Sequence, residues 1–162
     1  MSSNAHQTSI ASPLRIGWGQ ADITPTETVL IAGQFHARVS EGVLDPISVT
    51  ALALDAGNDH VVFVTCDVVG LSDELVELIH QKTAGLQGLD PQKLVISVSH
   101  THAAPETRIA KSSLGIVSNS SGIDLPVMEV MDYLEFMSTQ VAAAIKDAWT
   151  SRAAGKVAFG MT

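Results

Sequence analysis

With 162 residues, of which 46% are hydrophobic and 16% charged, the chain can bury a substantial core and is too apolar to stay unfolded. A formal charge of −8, with nine Lys and Arg in all, offers no basic footprint for a nucleic-acid backbone and disfavours anionic membrane surfaces. The lone cysteine, Cys66, excludes an internal disulfide and reads as a small buried apolar residue.

Residues 1–12 are polar and lack a basic stretch leading into an apolar run, so they read as a flexible tail rather than a secretory signal. No apolar run approaches the roughly 18 residues that span a bilayer. The expected setting is cytoplasmic, or secreted if a leader has been removed. Residues 13–162 are expected to form one α/β domain.

From Leu14 to Ala21 apolar and polar residues alternate, as in a half-buried strand, and Asp22-Ile23-Thr24-Pro25 stops the run. Residues 33–46, with Gly33, Gly42 and Pro46, read as a connecting loop. Alternation returns over 47–54, Gly57-Asn58-Asp59 makes a tight turn, and 60–66 is a second alternating run, so the pair is expected to form a β-hairpin. After Asp67 the period lengthens: Leu71, Leu75, Leu78 and Ile79 lie at helical spacing, with Ser72, Asp73 and Glu74 suited to a helix start. This helix should run to about Thr83. Gly85, Gly88 and Asp90-Pro91 break it, and Leu94 to Val98 reads as a buried strand. Strand, helix and strand in that order imply a right-handed crossover, hence a parallel pair between 61–66 and 94–98.

Residues 111–126 are rich in Ser and Gly without periodicity and read as a long mobile loop. Tyr133, Phe136, Met137, Val141, Ala144, Ile145 and Trp149 trace one face of a further helix, for which Gly155 is the expected stop. A last strand is expected over Lys156 to Gly160. These elements imply the fold class α/β, a mixed sheet with a parallel βαβ unit flanked by helices.

Chemistry concentrates in Val98-Ser99-His100-Thr101-His102-Ala103-Ala104-Pro105. In an extended chain residues two apart face the same way, with Cα atoms roughly 6.5–7 Å apart, so both imidazoles can address one small object. A metal ion accepts imidazole nitrogen, and zinc is the usual choice for imidazole with carboxylate. The pair also lies just beyond the carboxyl end of a parallel strand, where open α/β sheets gather their ligands. Asp67, at the end of the neighbouring strand, is the expected carboxylate partner that orients a ring, and Glu106 ranks below it. His36, in the loop Gly33-Gln34-Phe35-His36-Ala37-Arg38, is a further candidate for the same site. His60 and His80 read as surface residues, His6 belongs to the tail, and Asn119-Ser120-Ser121 reads as plain loop. Gly17-x-Gly19 lacks the third glycine and helix start of a dinucleotide loop, and no Gly-x-Ser-x-Gly elbow or phosphate loop is present.

Several blocks in order resemble the N-terminal region of the neutral/alkaline non-lysosomal ceramidases. They are Gly17-Trp18-Gly19-Gln20-Ala21-Asp22-Ile23-Thr24-Pro25, Gly42 to Ile47, Val61 to Asp67, and Ile96 through His100-Thr101-His102 to Pro105. The resemblance covers about residues 14 to 106. It implies that His100 is a ligand to a single Zn2+ and that His102 stands beside the reacting amide as a polar catalytic group. Zinc of this kind polarises an amide carbonyl or lowers the pKa of bound water to about 7. The family's other ligands, a further His with a Glu and a Tyr, come from much later in a longer chain. The resemblance therefore implies the N-terminal part of a larger catalytic domain. The family's motif also differs around Pro105, where Ala103-Ala104 precede it and Glu106 comes next. The function expected is zinc-dependent hydrolysis of an N-acyl amide or ceramide-like lipid. The alternative is a non-catalytic binding or structural relative that kept the α/β core.

Overall fold

A computed structural model describes residues 13–108, 126–158 and 160. The tail at 1–12 with His6, the expected loop over 111–126 except Pro126, and Asn119-Ser120-Ser121 lie outside the described residues.

Eight residues, Arg15–Asp22, form strand β1, and Ser48–Asp55 and His60–Cys66 form β2 and β3. The three run antiparallel, with Trp18 opposite Leu52 and Leu52 opposite Phe63. The β2–β3 turn is the expected hairpin: Asp55 accepts from the Gly57 N–H, and Gly57 takes a φ of 84° that suits glycine. Helix α1, Asp73–Thr83, then carries the chain over to β4, Leu94–Val98. Strand β4 is parallel to β3 in the register Val62–Leu94 to Cys66–Val98, so the βαβ unit forms as the sequence implies. A short strand, β5 (Ala153–Ala154), comes after helix α2 (Val130–Thr150) and completes a mixed five-stranded sheet in the order β4-β3-β2-β1-β5.

Both helices pack on one face of this sheet. Ser72 caps α1 by accepting from the Leu75 N–H, an interaction worth about 1 kcal/mol. Its apolar stripe then buries Leu75 and Ile79 in the core that also holds Leu134, Met137 and Val141 of α2 and Val62, Val64 and Cys66 of the sheet. Each such aliphatic side chain stabilises the fold by roughly 1.5–3 kcal/mol. Gly17 and Gly19 make the close approach of α2 to β1: a Cβ on either would come within 2.0 Å of a carbonyl oxygen, that of Ala148 or Ala144. The two glycines thus serve helix–sheet packing. On the opposite face Trp18, Leu52, Phe63 and Val95 stand in one cross-strand row, with Trp18 63% and Phe63 44% exposed.

Two expectations about the end of the chain are corrected. Helix α2 stops at Thr150, with Ser151 as its cap, five residues before Gly155. The strand expected over 156–160 lies instead at Ala153–Ala154. The reason is register: Ala153 pairs with Ile16, Ala154 with Arg15, and Gly155 donates to the Leu14 carbonyl, after which the partner side reaches Pro13, which has no N–H to give. Arg152 anchors this corner, its guanidinium lying over the Trp149 ring and bound to Asp55 at 3.1 Å. His60 belongs to the same corner. It is half-buried rather than a surface residue, with its ring 4.9 Å from Trp149 and Nε2 accepting from the Asp90 N–H. Among the described residues no helix is long and apolar enough to cross a membrane.

Candidate active site

The carboxyl ends of β3 and β4 lie side by side, and the site is built on the two segments that leave them. Beyond β3, Asp67 donates its N–H to Ser48 and Val68 turns back on Cys66, so that Val69 and Gly70 present their carbonyls towards the segment leaving β4. Beyond β4, Ser99 still pairs with Cys66, and the chain then bends at His100, the one described non-glycine residue with positive φ, 59°. This left-handed conformation costs an L-residue about 1–2 kcal/mol.

The bend sets the geometry of the histidine pair. His100 Nδ1 lies 2.6 Å from the Val69 carbonyl oxygen. A carbonyl only accepts, so Nδ1 carries the proton, and the lone pair of the neutral ring resides on Nε2. The His102 ring stands edge-on to it, with centroids 5.0 Å apart. The two rings therefore do come together, but through a bend at the first of them and not by the side-chain alternation of an extended strand. Both residues are exposed.

A second loop supports the pair from below. Residues 29–40 fold into a tight double strand in which Leu30 bridges Val39, and Ile31 in turn bridges Pro105. Ala32 donates to the Ala104 carbonyl and Glu106 to that of Leu30, which ties this loop to the histidine segment. The Arg38 guanidinium links the two segments by donating to the carbonyls of Ala32 and His102. Gly33, with a φ of 94°, faces the His102 ring directly. The loop holding His36 thus reaches the site, as the sequence suggests, yet its contact is made by Gly33 and Arg38, while His36 itself is exposed.

The carboxylates take other roles. Asp67 Oδ2 accepts from both the backbone N–H and the hydroxyl of Ser48, at 3.1 and 3.0 Å. Orientation of the His100 ring, the task expected of Asp67, falls to the Val69 carbonyl. Glu106 is buried, 3% exposed, and accepts from the Thr107 and Arg108 N–H groups and from the Arg108 guanidinium at 2.7 Å on each oxygen. That carboxylate holds the Arg108 guanidinium above its ordinary range. Thr107 ties the same stretch to the segment leaving β3 by donating its hydroxyl to the Gly70 carbonyl at 2.7 Å. None of these backbone partners could be named from sequence, because a carbonyl's position depends on tertiary geometry and not on residue type.

The donor set fits part of a zinc site. With Nδ1 bonded to Val69, His100 offers Nε2, an imidazole nitrogen of the kind zinc binds at about 2.0–2.1 Å. Among the described residues no group of three or more His, Cys, Asp and Glu converges, so they do not complete the four-coordinate set that zinc usually takes.

No family model and no curated protein matches the chain. Solved structures do. One described as a ceramidase complexed with C2 superposes with a TM-score of 0.66 at 16% identity, covering 87% of this chain and 22% of that one. The neutral ceramidase from Pseudomonas aeruginosa gives 0.65 at 17% identity with the same coverage. The fold is that of a segment of neutral ceramidase. The chain spans less than a quarter of the length of these ceramidases. The ordered sequence blocks and the fold point to the same proteins.

Proposed function

We propose that this chain contributes part of the active site of a zinc-dependent amide hydrolase resembling neutral ceramidase, with an N-acyl amide or ceramide-like lipid as substrate. The observation that carries the reading is the bond from His100 Nδ1 to the Val69 carbonyl, which directs Nε2 outward beside the His102 ring on a ceramidase fold. His100 would hold the ion through Nε2, in the tautomer that Val69 imposes. Zinc held there supplies Lewis-acid polarisation of an amide carbonyl. His102, held at its carbonyl by Arg38 and against Gly33 at its ring, would hydrogen-bond the reacting amide and carry a proton to or from it. The remaining ligands would come from outside the described residues.

Replacing His100 by Ala in the whole protein is expected to abolish bound zinc, read by elemental analysis. His102→Ala is expected to keep the metal and to lower kcat by about 10²–10⁴-fold. Zinc content unchanged in the first variant overturns the ligand assignment, and undiminished turnover in the second overturns the role of His102.

A further inference from the structure

Behind the histidine segment lies a cavity of about 570 Å³. Thr101, Ala103, Ala104 and Pro105 form one wall, while His100 and His102 do not line it. The imidazole pair is therefore not part of the cavity wall. We propose that it is a binding site for an aliphatic amine, with the chain inside and the ammonium group at the rim.

Volume, lining and charge each support this. Ligand pockets for small molecules run from roughly 300 to 1,000 Å³ and are mostly apolar with a few polar groups that set orientation. Here Val29 and Pro105 are buried, Ile31 and Ile47 are half-buried, and together they offer an aliphatic floor. Glu27, Glu41 and Asp45 also line the cavity, and all three are exposed. Among the described residues no Lys, Arg or His lines the cavity. A carboxylate- or phosphate-headed chain would thus bring its charge to three like charges with no counter-charge among the described lining residues. An ammonium head at the rim is attracted by these carboxylates while staying in water, so its own desolvation is small. Among the described residues no aromatic side chain lines the cavity, so they give a flat ring nothing to stack on.

The test is calorimetric titration of the protein with octylammonium, decylammonium and decanoate, each below its aggregation concentration, with neither metal nor turnover involved. Failure here is therefore distinguishable from failure of the hydrolase reading. One equivalent of decylammonium is expected to bind, tighter than octylammonium by up to about fourfold per added methylene. Decanoate is expected to bind at least tenfold more weakly. The triple variant Glu27→Gln, Glu41→Gln, Asp45→Asn alters exposed positions only and should weaken decylammonium by about five- to tenfold. Ala103→Trp, also at an exposed position, should fill the cavity and abolish binding. Equal affinity for decanoate and decylammonium overturns the proposal. So does binding of several equivalents that is indifferent to chain length and to Ala103→Trp, which is adsorption to an acidic surface.

Discussion

Gly33 and His102 stand so close that a Cβ on Gly33 would lie 2.5 Å from His102 Cγ and 2.7 Å from Nδ1. The glycine does two things at once, since it adopts a φ of 94° and leaves room for the imidazole. Gly33→Ala is therefore expected to destabilise the fold by about 1 kcal/mol through the backbone alone and to push the His102 ring from its position. Urea denaturation reads the first effect. The side-chain resonances of His102 in a 1H–15N spectrum read the second, and resonances that stay in place would show that the ring does not depend on this contact.

His100 pays for its orientation with a left-handed backbone. Ala at this position keeps the strain and loses the bond to Val69, whereas Gly loses the bond and removes the strain. His100→Gly is accordingly expected to be more stable than His100→Ala by roughly 1 kcal/mol. Denaturant midpoints of the two variants measure this, and coincident midpoints would mean that the conformation at residue 100 is relaxed.

Asp55 links stability to acid pH. The Gly57 N–H bonded to its carboxylate, with the nearby charge of Arg152 adding to it, lowers its pKa from the ordinary 3.8. A folded-state pKa below the unfolded one stabilises above the unfolded value, and that contribution disappears as pH falls through the folded value. The contribution of Asp55 should then be constant from pH 7 to about 5 and decline below about pH 4. Asp55→Asn removes the ion pair with Arg152, which should cost roughly 1–3 kcal/mol at pH 7 and flatten the acid limb. Stability measured from about pH 7 to about 2.5 in both proteins tests this, with parallel curves as the contrary result.

Cys66 is fully buried at the end of β3, and burial, with the charge of Asp67 adding to it, pushes its thiol up to about 12. The thiolate is the reactive form, so at about pH 8 the native protein is expected to resist a disulfide reagent and to react with one equivalent once unfolded in urea. Rapid labelling without denaturant would place the thiol at the surface.

Much of the fold was legible because it rests on local periodicity. The alternation in 14–21, 47–54 and 60–66, the turn at Gly57 and the helical spacing of Leu71, Leu75, Leu78 and Ile79 each report which face of an element is apolar, and burial favours that face wherever the element ends up. The βαβ crossover was implied by element order. The end of the chain was misread for the opposite reason: Val157 and its neighbours have strand-like composition, but a strand exists only where a partner edge is free, and the partner side of β1 passes from Leu14, already bonded to Gly155, to Pro13, which has no N–H.

The site divides in the same way. Sequence by itself singled out His100 and His102, because residue type and proximity to a strand end are written in the chain. Tertiary structure alone decided that the rings meet through a left-handed bend, that Val69 and not Asp67 orients His100, and that Gly33 and Arg38 rather than His36 bring the second loop to the site. Backbone carbonyls and steric gaps have no residue code; they come into being only when segments distant in sequence are brought side by side.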